Sequence, residues 1–125
     1  IYFAGDSSLD NKYWIDEHKP AVNGYEDVLE PPLMTADVCF WLNRLLKEQS
    51  QPLFALNTAI EATTLGQRSD GWFTEGLLEQ DQFIRDNITE EDYLVVSVGG
   101  NDIALAPSMA TIASMLTMVH LASTE

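Results

Sequence analysis

Four scarcities narrow what this 125-residue chain can be. There is one cysteine, Cys39, so no disulfide closes within the chain and no cysteine-based zinc site can be built. Cys39 stands in a helical pattern beside Phe40 and Trp41, which predicts a buried structural thiol. Basic residues number six against twenty acidic ones, a formal charge of −14. Such a surface repels phosphate backbones and anionic lipid, which argues against nucleic-acid and membrane partners. No run of ~18 apolar residues exists to make a spanning helix. Histidines are two, His18 and His120. The chain opens on Ile1-Tyr2-Phe3-Ala4, a pattern expected in the middle of a core strand, so the expectation is that the natural N-terminus is missing.

What is present is enough for one domain, residues 1–125, with 46% apolar residues to build a core. Three short apolar runs, Ile1–Ala4, Leu53–Leu56 and Tyr93–Val98, are expected as buried strands. Helical patterns lie between and after them. Thr35–Glu48 carries Val38, Leu42, Leu45 and Leu46 on one stripe, with Thr35 or Asp37 as cap. Glu75–Asn87 offers Leu77, Leu78 and Ile84 as inward residues. Ser108–Ala122 aligns Met109, Ile112, Ala113, Leu116 and Val119 behind a Ser108 cap. Thr89-Glu-Glu-Asp92 is expected as a polar turn before the third strand. Residues 10–34 are irregular and predict a long connection folded over the strand ends. The alternation of strand and helix predicts an α/β fold: a parallel sheet with helices on both faces, in three layers, with about three strands.

In open α/β sheets, sites form beyond the carboxyl ends of the strands. Three segments therefore meet: Gly5-Asp-Ser-Ser-Leu9, Asn57-Thr-Ala-Ile-Glu-Ala62 and Gly99-Gly-Asn-Asp102. Gly-Asp-Ser after a strand places a hydroxyl at the mouth of the sheet, and a serine there is a nucleophile if a base takes its proton. By itself it reads first as an ordinary strand-to-helix turn with a serine cap. Asn101 adds a neutral amide with two donors, suited to an oxyanion. By itself Gly-Gly-Asn-Asp reads first as a glycine turn with local side-chain bonds. The two together, at the ends of strands in one sheet, favour acyl chemistry. A phosphate-binding loop would need glycines and a lysine that Gly5–Leu9 lacks.

Phe3-Ala-Gly-Asp-Ser-Ser8 resembles the first block of the SGNH (GDSL-type) esterases and lipases, and Val98-Gly-Gly-Asn-Asp-Ile103 resembles their Gly-x-Asn-Asp block. The resemblance implies a flavodoxin-like sheet and ester hydrolysis. It gives Ser7, rather than Ser8, the role of nucleophile and first oxyanion N–H. Asn101 supplies the oxyanion side chain, and Gly99 matches the block-three glycine. Gly5, Asp6, Gly100 and Asp102 support the turns. The family's second block has the form Asn-x-Gly-x-x-Gly, whereas Asn57–Ala62 carries alanine at both glycine positions. The backbone N–H of Ala62 is the expected third donor, with Gly66 as second choice. The family's Asp-x-x-His has no counterpart here. His18 is expected in solvent and His120 on the apolar stripe of the last helix, preceded at three residues by Thr117. The general base is expected from outside this segment, with the 125 residues a partial domain inactive alone. A small-molecule ester, an acylated sugar or acyl glycerol among them, is the implied substrate. No metal or organic cofactor is implied. The alternative is a non-catalytic α/β module binding a small ligand at the same strand ends.

Overall fold

The computed structural model describes residues 1–68, 76–105, 107 and 109–122. Its centre is a parallel sheet of three strands, β1 (Tyr2–Gly5), β4 (Leu56–Asn57) and β5 (Leu94–Ser97), in the order β4-β1-β5. Tyr2 sits opposite both Leu56 and Leu94, and Gly5 opposite Ser97. A second, antiparallel pair joins β2 (His18–Pro20) to β3 (Leu33–Thr35) within the connection predicted to be irregular. The helices are α1 (Val38–Glu48), α2 (Glu79–Asn87), α3 (Gly100–Ala104) and α4 (Met109–Ala122). The fold is α/β, as the alternation of patterns predicts.

Side chains alternate across a strand, and that alternation sorts the helices. Phe3 packs into a cluster with Cys39 and Phe40 of α1 and with Met34 of β3. Ala4 points the other way, to a recess shared with Ile84 of α2. The sheet thus lies between α1 on one face and α2 on the other. The 10–34 connection supplies Ile15, Ala21, Val22, Tyr25 and Leu29 to the α1 side of the core.

Asp37 caps α1, accepting the Phe40 N–H at 3.0 Å. The apolar stripe expected for this helix needs correction. Val38 and Leu45 are exposed, and the buried face is Cys39, Phe40, Asn43 and Leu46. The helix is turned so that one polar residue, Asn43, faces the core and bonds to the chain entering β4. Thr89 and Asp92 close the expected turn before β5, with the Asp92 carboxylate accepting from the Thr89 N–H and hydroxyl.

Two further expectations are overturned. β5 is not buried: Leu94, Val95 and Val96 are 47%, 40% and 58% exposed. Among the described residues it pairs with β1 alone and forms an edge of the sheet. The stripe of α4 is also exposed, including Met109, Ile112, Leu116 and Val119, and α4 buries no residue. Apolar surface goes inside only where another layer lies over it. The Ser108 cap, and Glu75 at the expected start of α2, fall outside the described residues. No described helix is long and apolar enough to cross a membrane.

Candidate functional site

The carboxyl ends of β1, β4 and β5 open at one end of the sheet, and the three expected loops leave from there. Gly5 is the last residue of β1. A Cβ there would run into the Ser97 carbonyl oxygen and the Leu9 side chain, so glycine is required by close approach. Asp6 follows, buried, and its carboxylate accepts the Ser8 N–H at 3.0 Å. The Asp6 carbonyl takes the N–H groups of Leu9 and Asp10. This tight turn leaves the Ser7 N–H and the Ser7 hydroxyl without a partner among the described residues, on a half-buried side chain. Ser8 differs. It is exposed, and its hydroxyl lies 2.6 Å from that of Ser97, so it is already engaged.

The loop after β4 is tied to the serine turn by several bonds. Asn57 donates to the Leu9 carbonyl at 2.9 Å and caps its own turn by accepting the Ala59 N–H. Asp10, buried, accepts the Glu61 N–H at 2.9 Å and pairs with Lys12 at 2.7 Å. Ala62 comes next, exposed, with φ +60°, in the left-handed region that glycine favours. The alanine thus occupies a glycine-like conformation, and its N–H has no partner among the described residues. Gly66, the second choice for that donor, is spoken for. Its N–H binds the Asp102 carboxylate at 3.0 Å.

The third segment arrives after β5. Gly99 has φ +110° and precedes α3, where Gly100 is the first residue. The Asn101 amide donates to the Thr63 carbonyl at 3.0 Å, which leaves its second N–H available. Asp102 accepts from the N–H groups of Leu65 at 2.7 Å and Gly66 at 3.0 Å. Those two donors, Leu65 first, hold the Asp102 carboxyl below its ordinary range. Asp6 and Asp102 therefore orient loops, and among the described residues no three acidic, histidine or cysteine side chains are grouped to hold a metal ion.

Ser7, Ala62 and Asn101 thus lie on loops from neighbouring strands, and a shared residue joins them. The Thr63 hydroxyl donates to the Ile60 carbonyl at 2.7 Å and has the Gly5 carbonyl as a second acceptor at 3.2 Å, while the Thr63 carbonyl receives Asn101. Neither histidine bonds to Ser7. His18 lies on β2 with Nδ1 2.9 Å from the Asp16 carbonyl, and His120 lies in α4.

Sequence reasoning passed over Asp10, Thr63, Arg68 and Ser97. The usable signal was in the charge. Arg68 is one of six basic residues, and it is the one drawn into the interior, 2.8 Å from Asp81. Thr63 and Ser97 carried no signal, because their roles depend on bonds across 38 to 89 residues of sequence. No family model, curated protein or solved structure matches this chain.

Proposed function

We propose that this chain carries the nucleophile and oxyanion site of a serine ester hydrolase of the SGNH type, acting on small acyl esters or acylated carbohydrate. The observation that carries the proposal is the pair of unpartnered N–H groups at Ser7 and Ala62, on loops bridged to the Asn101 amide by Thr63. Backbone donors left open at the mouth of a sheet are what a developing oxyanion needs, since they are fixed before the reaction starts. In this mechanism the Ser7 hydroxyl oxygen attacks the ester carbonyl carbon, and its proton passes to a general base. The carbonyl oxygen becomes an oxyanion held by the Ser7 and Ala62 N–H groups and the free N–H of Asn101. Collapse expels the alcohol and leaves an acyl group on Ser7, which water then removes. Neither His18, 2.9 Å from the Asp16 carbonyl, nor His120, in α4, hydrogen-bonds to Ser7, so in this reading the base approaches Ser7 from outside these 125 residues.

One observation favours a second reading, a small-ligand binding module. Neither histidine hydrogen-bonds to Ser7. The same open donors would then bind a carboxylate or carbonyl without turning it over.

The test is hydrolysis of a short-chain activated ester by the full-length gene product. Ser7→Ala should abolish turnover, and Asn101→Ala should lower it on the order of 10²–10³-fold. Undiminished turnover in Ser7→Ala removes the nucleophile assignment. A wild-type protein that binds the ester's carboxylate product but never cleaves the ester supports the binding module.

A further inference from the structure

We infer that Arg68 is the positioning residue of this site, holding the serine turn and the oxyanion loop at a fixed separation. This inference rests on the hydrolase assignment above. Arg68 is the last residue of a short helical turn, Gly66–Arg68, and its side chain is 8% exposed. Its guanidinium reaches three separate parts of the site. One terminal nitrogen donates to the Gly5 carbonyl at 2.9 Å, two residues before Ser7. The other donates to the Thr63 hydroxyl at 3.0 Å and lies 3.3 Å from the Thr64 carbonyl, just beyond Ala62. Nε stands 2.8 Å from the carboxylate of Asp81, in α2, whose side chain is 10% exposed. That last contact is ionic, because the two atoms are close without hydrogen-bond alignment.

Stability alone does not account for this arrangement. Taking an arginine and an aspartate out of water costs several kcal/mol, and apolar residues of similar size serve a core as well or better. What a planar fork offers is direction: several donors at set angles from one rigid group. Here they converge on the Gly5 carbonyl, which also accepts from the Ile60 N–H at 3.1 Å and sits 3.2 Å from the Thr63 hydroxyl. Thr63 in turn carries Asn101 on its carbonyl. Every expected oxyanion donor is therefore within two residues, or one hydrogen bond, of a group that Arg68 grips. Both terminal nitrogens of Arg68 are engaged by the loops and Nε by the ion pair with Asp81, so its role here is to hold the loops rather than to touch the substrate.

A lysine keeps the charge and loses the fork, so Arg68→Lys separates the two properties. In the full-length protein, Arg68→Lys should lower kcat for an activated ester by about 10- to 100-fold, because a displacement of about 1 Å is enough for such a loss. KM should stay within about threefold. Affinity for a boronic acid, which forms a tetrahedral adduct on Ser7, should fall in step with kcat, while affinity for the product carboxylate holds. Thr63→Val, which removes the hydroxyl between Arg68 and Gly5, serves if Arg68→Lys does not fold, and the same pattern is expected. Arg44→Lys, on an exposed pair with Glu48, is the control and should behave as wild type. Wild-type kcat and boronic-acid affinity in folded Arg68→Lys or Thr63→Val overturn the positioning role while an inactive Ser7→Ala leaves the hydrolase intact. Full activity in Ser7→Ala overturns the hydrolase itself. In that event the Asn101 side-chain amide resonances decide whether Arg68 still sets the loops: a shift in Arg68→Lys but not in Arg44→Lys upholds it, and no shift ends it.

Discussion

Asn43 satisfies both backbone groups of Ala55: its amide donates to the Ala55 carbonyl at 2.8 Å and its oxygen accepts the Ala55 N–H at 2.9 Å. Asn43 and Ala55 are both fully buried. The same oxygen takes the Asn23 amide at 2.9 Å, and the same nitrogen donates to the Cys39 carbonyl at 3.0 Å. One side chain thus replaces a strand neighbour for the residue that leads into β4. Asn43→Leu should cost about 3 kcal/mol or more, since each buried group left unpaired costs roughly 1–3 kcal/mol. Urea unfolding measures it, and a loss below about 1 kcal/mol would show that these bonds are replaceable.

Ala62 holds φ +60° with a Cβ in place. A non-glycine residue there costs roughly 1–2 kcal/mol, and glycine returns part of that gain as unfolded-state entropy, about 0.4–1 kcal/mol. Ala62→Gly should therefore stabilise the fold by a few tenths to about 1 kcal/mol in thermal melts. Ala62→Val should destabilise it. Because the proposed donor is the backbone N–H, ester turnover should survive Ala62→Gly within a small factor.

The two shifted carboxylates nearest the site respond to acid in opposite directions. Asp102 is held below its ordinary range by the Leu65 and Gly66 N–H groups, so its contribution is present above the unfolded carboxylate range and is lost as pH falls through the lower folded value. Asp37 is raised, chiefly by burial, so its charged form weighs against folding as pH rises through the carboxylate range. Protection of the Leu65 and Gly66 amides, measured as exchange relative to the intrinsic rate, should fall as pH drops below the ordinary carboxylate range and should already be low at neutral pH in Asp102→Asn. Exchange that ignores both the acid and the substitution would disprove the Asp102 clamp.

Cys39 is 2% exposed, and burial pushes its thiol up to about 11. Its sulfur lies 3.4 Å from the Ala55 carbonyl and 3.7 Å from the Tyr25 hydroxyl. A thiolate is the reactive form, so at pH 8 the folded protein should resist disulfide reagents and alkylation. Labelling should follow unfolding, with full reaction in denaturant. Rapid stoichiometric labelling of the native protein would place the thiol at the surface.

The order of strands and helices was legible because strand runs and helix stripes differ in period; β1 and β5 fall on apolar runs, whereas β4 (Leu56–Asn57) shares only Leu56 with the expected Leu53–Leu56 strand. Asp37 as a cap and the Thr89–Asp92 turn were legible because their bonds are local. The phase of α1 was not. Periodicity assumes that buried means apolar, and α1 turns on a buried asparagine whose partner is Ala55. The β2–β3 pair was missed for a related reason: Lys19 and Pro20 carry no strand signature, and pairing alone makes them a strand.

By itself the sequence determined the acidic surface, the lack of a disulfide, the strand–helix alternation, and which short segments follow each strand, because all of these depend on residue type and near neighbours. Only the tertiary structure decided that the Ser7 and Ala62 N–H groups stay open while that of Gly66 is taken by Asp102. It alone decided that Thr63 and Arg68 hold the loops together, and that β5 and α4 leave apolar surface in solvent. Those outcomes depend on bonds between residues far apart in the chain, and on whether a further layer lies over a face, which no local pattern encodes.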